Sequence, residues 1–225
     1  MVSAPSDRPT LEARYLGRID YAHGLTLQED LVRERRAGRT GDVLLLLEHP
    51  HVITLGSSSD PAHVLMDAAS LERRGIEVHR VGRGGDVTYH GPGQLVGYLI
   101  VDLKPDRQDL HRFLRDVEGA LIRAMTVLGV RAERRQGLTG VWARSGKLAA
   151  IGVRVSSGWI TSHGFALNVN TDLTFFEAIV PCGIADRAVS SLERELGRAV
   201  PLEEVMGIVA SAFADAFGRD LRVLC

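Results

Sequence analysis

Apolar positions along the chain recur with two periods, and the alternation between them sets the elements. Leu110, Phe113, Leu114, Val117, Leu121, Met125 and Leu128 keep helical spacing, with Asp109 placed to cap the start and Gly129 to end it. Leu202, Val205, Met206, Val209, Phe213 and Phe217 do the same over Pro201–Gly218. A third helix is expected over Tyr21–Ala37, its Arg33–Arg36 run solvated. A short one follows from Asp67 as N-cap to Gly75. Ser190 with Glu193 resembles a capping box for another. Val43–Leu47 is a continuous apolar run suited to a central strand covered on both faces. His49-Pro50-His51 interrupts it before Val52–Leu55 resumes. Further strands are expected at Val78–Val81 and Leu95–Leu103. From Gly137 the period becomes two, giving strands Leu138–Ala143, Leu148–Val155 and Trp159–Asn168 joined by turns at 144–147 and 156–158. No repeat or linker divides the pattern. The expectation is an α/β (α+β) fold with a flexible tail over residues 1–14 and one catalytic domain over 15–225.

Composition narrows the function. A formal net charge of -1 on 225 residues gives no argument for nucleic acid or a membrane surface as partner. The polar start of the chain reads as neither signal peptide nor anchor. Two cysteines, Cys182 and Cys225, cannot make a disulfide framework, so a reduced, cytoplasmic protein is expected. His49 and His51 lack a third ligand at recognisable spacing, and no metal is expected. Of 27 basic residues only Lys104 and Lys147 are lysines. Where arginine serves as the general cation, a remaining lysine can be there to lose its proton. Lys147 falls at a hairpin end, within reach of a neighbouring site.

Two stretches carry chemistry. Gly82–Gln94 holds five glycines with Arg83, Thr88, Tyr89 and His90. It lacks the Gly-Lys-Ser/Thr ending of a phosphate loop, and Val87 stands where a dinucleotide fingerprint needs its third glycine. A loop that lets a ligand lie against bare main chain is the better reading. Cys182 sits in Pro181-Cys-Gly183, where a thiolate could act as nucleophile beside free backbone N–H groups. Lys147 could activate it by charge or as a base; His90 and His163 are the other candidates for the base.

Arg83–Gln94, Gly146-Lys147 with Ala150–Val153, Ser162–Gly164 with Ala166–Val169, and Pro181–Ile184 occur together and in order. In this they resemble the octanoyltransferases of lipoate biosynthesis, from about Tyr21 to Leu196. The resemblance implies the fold of biotin and lipoate protein ligases, a mixed β-sheet plus a smaller sheet flanked by helices. It implies transfer of an octanoyl group from octanoyl-acyl carrier protein to a lysine of lipoyl domains, in 2-oxoacid dehydrogenases and the glycine-cleavage H protein. It makes Cys182 the acyl-thioester nucleophile and Lys147 the group that lowers its pKa. Arg83, Gly84, Gly85, Asp86, Val87, Thr88, Tyr89 and His90 then belong to the acyl-substrate site. So do Ala150, Ile151, Gly152, His163, Gly164 and Phe165. No cofactor and a monomer are implied. Asp86 and Phe165 depart from the family pattern, the second at the acyl pocket. A ligase that makes an acyl-adenylate from ATP, and a docking module with an inert cysteine, are the rival readings.

Overall fold

A computed structural model of the chain describes residues 8–105, 107–180 and 188–224. Cys182 and Cys225 lie outside the described residues. Eight strands form one mixed sheet: β1 (Thr10–Arg18), β2 (Asp42–Glu48), β6 (Gln94–Ile100), β7 (Glu133–Arg135), β8 (Leu138–Ala143), β9 (Gly146–Val155), β10 (Thr161–Asn168) and β11 (Asp220–Leu224). Their order is β11-β1-β2-β6-β10-β9-β8-β7; β1 runs parallel to β2 and β11, and the remaining pairs are antiparallel. Strands β3 (Val52–Leu55), β4 (Glu77–Arg80) and β5 (Val87–His90) make a smaller sheet in the order β4-β3-β5.

The hydrophobic pattern explains the layers. Helices α3 (Leu110–Val127) and α5 (Leu202–Phe217) lay their apolar stripes over one face of the large sheet, on Leu44, Leu46, Leu95 and Leu99. Helix α1 (Tyr21–Arg36) covers part of the other face, on Val43, Leu45, Leu47 and Ile100. The unbroken run in β2 is thus a strand buried on both sides, as its composition demands. The small sheet has its own core, where α2 (Ala68–Arg73) contributes Leu71 beneath Ile53, Val87 and Tyr89.

Three local expectations are revised. Residues 10–14, expected as part of a tail, form the first half of β1, with Leu11 and Ala13 fully buried between β2 and β11. Val87–His90, expected inside a loop, is a strand paired with β3. The cap of the short helix α4 (Leu192–Leu196) is Ser191, which accepts from Arg194 N, while Ser190 turns its hydroxyl to Glu195. Asp67 and Asp109 cap α2 and α3 as expected. No helix among the described residues is long and apolar enough to cross a membrane.

Candidate active site

The glycine stretch, β9 and β10 enclose a cavity of about 340 Å3, within the size range of small-ligand sites. Its floor is hollowed by small residues on neighbouring strands. Gly164 of β10 faces Gly152 of β9 and Tyr98 of β6; one row along, Ala166 faces Ala150 and Val96. The glycine loop bears directly on this floor. Gly84 N donates to Val153 O at 2.9 Å, and a Cβ on Gly152 would come within 2.8 Å of Gly84 O. Gly85 turns the loop at φ 87°, a conformation that favours glycine.

Arg83 is buried, its guanidinium donating to Thr54 O at 2.7 Å and to Gly84 O at 3.0 Å. It fastens the loop to β3 and brings a positive charge to the cavity wall. Asp86 accepts from His63 Nδ1 at 2.6 Å. Thr88 and His90 reach the cavity from β5, whereas Tyr89 does not, because strand alternation turns it into the small-sheet core to meet His51 at 2.8 Å. Val87, Ile151 and Phe165 also border the cavity. The Phe165 ring, however, lies over Gly97 and stacks on Phe213 in the α5 layer at 5.2 Å. Its bulk is therefore spent on the packed face of the sheet.

One end of the cavity is ringed by aromatic polar groups: Tyr21, Tyr98, His90 and His163. All are buried. Burial lowers the pKa of His163 to about 4 and that of His90 to about 3, so both imidazoles are neutral at pH 7. His90 donates from Nδ1 to Gln94 Oε1, and Gln94 passes the network on to Asn168, which donates to Ser190 O. His163 has a positive φ of 58°, and its backbone N–H donates to the buried Gln28 of α1 at 2.7 Å. The His49 and His51 rings engage different partners, His49 meeting Tyr98 at 2.6 Å and Ile19 O at 2.8 Å.

Lys147 lines the cavity on β9, in the row next to the Ala150–Ala166 floor. Its Nζ stands 5.2 Å from the Trp142 ring centroid. Its backbone grips the chain on the far side of Cys182: Lys147 N donates to Ala188 O, and Ser190 N to Lys147 O, both at 2.9 Å. On the near side, Val180 N donates to His63 O at 2.8 Å. Sequence reasoning missed Tyr21, Val96, Tyr98, Trp142 and Ala166, which sit in apolar patterns that read as core. Buried Gln28 and Glu118 were missed on helix faces for the same reason.

Comparison with known proteins agrees with this geometry. Residues 20–214 match the family described as the lipoyl protein ligase A/B catalytic domain. An octanoyltransferase of Rubrobacter xylanophilus is 50% identical over 213 residues, covering 94% of this chain and 96% of that one. One of Acidobacterium capsulatum is 51% identical over 226 residues, with coverage of 94% and 92%. In fold the chain is similar to lipoate-protein ligase A bound with ATP (TM-score 0.73, 18% identity, covering 95% and 90%). It is also similar to the biotin protein ligase of Aquifex aeolicus in complex with biotin and ATP (TM-score 0.57, 15% identity, covering 92% and 70%). The chain belongs to the lipoyl protein ligase A/B catalytic domain family and, within it, to the octanoyltransferases of lipoate biosynthesis.

Proposed function

We propose that the chain takes the octanoyl group from octanoyl-acyl carrier protein onto Cys182 and passes it to a lysine of a lipoyl domain. The observation that carries this reading is the hollow floor that runs to Lys147. From Lys147 to Gly152 the strand covers about 16 Å at ~3.3 Å per residue, enough for an extended eight-carbon chain. The thioester would lie at the Lys147 end and the methyl end toward Tyr21 and His163. Arg83, Gly84, Gly85, Asp86, Val87, Thr88, His90, Ala150, Ile151, Gly152, His163, Gly164 and Phe165 would shape the site, Tyr89 acting only from behind it.

In the first half-reaction the Cys182 thiol passes its proton to Lys147, and the thiolate adds to the thioester carbonyl. The carrier's thiolate leaves and takes the proton back. Thioester exchanges for thioester, so no ATP is consumed. In the second, the neutral amine of the acceptor lysine attacks the acyl-enzyme and gives up a proton to Lys147, an amide forms, and Cys182 leaves as a thiolate stabilised by the resulting Lys147 ammonium. The amide is the more stable product and drives transfer. His90 and His163, kept neutral and weakly basic by burial, suit this task less well than Lys147. The carrier protein and the lipoyl domains of 2-oxoacid dehydrogenases and the glycine-cleavage H protein are the partners in this reading. The setting is cytoplasmic, the enzyme a monomer without cofactor.

The test is the intact mass after mixing with octanoyl-acyl carrier protein alone. A gain of one octanoyl group is expected, absent in Cys182→Ser and discharged by adding a lipoyl domain. Activity that appears only with free octanoate and ATP would overturn the reading. Lys147→Arg keeps the charge but cannot give up a proton, and acylation should fall about 100-fold or more.

A further inference from the structure

We infer that Glu118 is a positioning residue for Lys147, acting through the backbone of Gly140; the inference rests on Lys147 being the partner of the Cys182 thiol. Glu118 lies on the apolar face of α3, beside Val117 and Leu121, and is fully buried. A carboxylate there costs several kcal/mol to desolvate and survives only with its partners in place. Oε2 is paired with Arg115 at 2.8 Å and Arg134 at 3.0 Å. Oε1 faces the sheet and accepts from Gly140 N at 3.0 Å.

Gly140 is the residue against which the Lys147 side chain lies. At φ 135° it occupies a conformation that favours glycine, and an added Cβ would come within 2.7 Å of Lys147 Cε and 2.6 Å of Ala149 O. The pairing of β8 with β9 slips at this point: Val141 opposes Ala149, but Trp142 opposes Lys147. The extra residue on β9 is a bulge, which places both Leu148 and Ala149 in the α3–α5 core. A bulge re-aims side chains, and here it is the device that sends Lys147 to the cavity. Its geometry holds only if the opposing Gly140 backbone is fixed. Glu118 supplies that fixing point from α3, and the Trp142 ring centroid lies 5.2 Å from Lys147 Nζ.

The test reads the pH dependence of alkylation at Cys182, resolved by peptide mass from Cys225, together with the rate of acylation by octanoyl-acyl carrier protein. Lys147→Met serves as the reference and should move the alkylation midpoint up. Glu118→Leu removes the acceptor and Gly140→Ala removes the clearance. Both should move the midpoint the same way and slow acylation about 10–100-fold, the cost of misplacing a catalytic group by about an ångström. Glu118→Gln keeps an oxygen for Gly140 N–H, its amide tolerated because Arg115 and Arg134 are half-exposed and can turn outward. It should lie within a few-fold of wild type. Gly140→Ala and Glu118→Gln decide the matter if Glu118→Leu does not fold. A wild-type midpoint in Gly140→Ala and Glu118→Leu, beside a shifted one in Lys147→Met, would overturn the role of Glu118 alone. Glu118→Gln no better than Glu118→Leu would also overturn it, since the charge and not the Gly140 contact would then matter. No shift in Lys147→Met would overturn the pairing of Lys147 with Cys182 instead.

Discussion

Strands β6, β9 and β10 have opposite characters on their two faces. Toward α3 and α5 they present Leu95, Leu99, Val153, Phe165 and Leu167, meeting Phe113 and Phe213 in a packed layer. Toward the cavity the same strands offer Ala150, Gly152, Gly164 and Ala166, with Val96 and Tyr98 at the side. The first face is filled because every void there costs dispersion contacts. The second is hollowed by small residues that leave room for a ligand. Where the packed face needs room it takes it from the backbone: the Phe165 ring occupies the space a Cβ on Gly97 would need. Stability and site are thus divided between the two sides of one layer.

The largest effect should come from breaking the packed face. Phe213 is fully buried between Phe165 and Phe217. Phe213→Ala should cost about 3–5 kcal/mol, lowering Tm by roughly 6–20 °C for a chain of this size. Octanoyl transfer per folded molecule should stay within about 3-fold of wild type, because no cavity atom is lost. Calorimetry and single-turnover acylation check the two halves. Filling the hollow face should do the reverse. Ala150→Leu should leave Tm within about 2 °C and cut octanoyl transfer about 100-fold, equivalent to about 2.7 kcal/mol. Transfer of a butanoyl group should hardly change. Equal losses for both chain lengths would mean that the acyl tail does not pass Ala150.

The sequence revealed the packed face more readily than the hollow one. Helical and alternating hydrophobic periods mark α3, α5, β2 and the β8–β10 meander, and the caps at Asp67 and Asp109 follow from residue type. The parallel pairing of β11 with β1 across the whole chain leaves no local mark, so residues 10–14 read as tail. The glycine loop was visible by composition, but its strand was not: Val87–His90 is held by β3, some thirty residues away. Lys147 stood out because lysine is scarce here. Glu118 did not, since one charge in an apolar stripe reads as solvated until the packing shows it buried. The resemblance assigns the whole run Arg83–His90 to the site, Tyr89 with it, and a period of two turns Tyr89 into the small-sheet core.

A smaller effect separates the faces by pH. The packed face has little to titrate, whereas His90 and His163 line the cavity and the His49 ring lies 6.1 Å from that of His90. His49 is fully buried, donates from Nδ1 to Ile19 O and accepts from Tyr98, and desolvation lowers its pKa to about 4. The unfolded chain keeps a histidine near its ordinary value of about 6.5. Between these values the unfolded state binds the proton and the native state does not, so stability is full above about pH 6.5 and is lost as pH falls toward 4. For His49 the loss at pH 5 amounts to about 2 kcal/mol. His49→Gln should therefore be destabilised at pH 7, where both His49 hydrogen bonds are disturbed, but its deficit against wild type should shrink by about 2 kcal/mol on going to pH 5. Urea unfolding of both proteins at the two pH values measures that difference. A constant deficit would place the acid sensitivity elsewhere than at His49. A shrinking one would locate it at His49, whose burial beside Tyr98 and Ile19 O disfavours the charged ring.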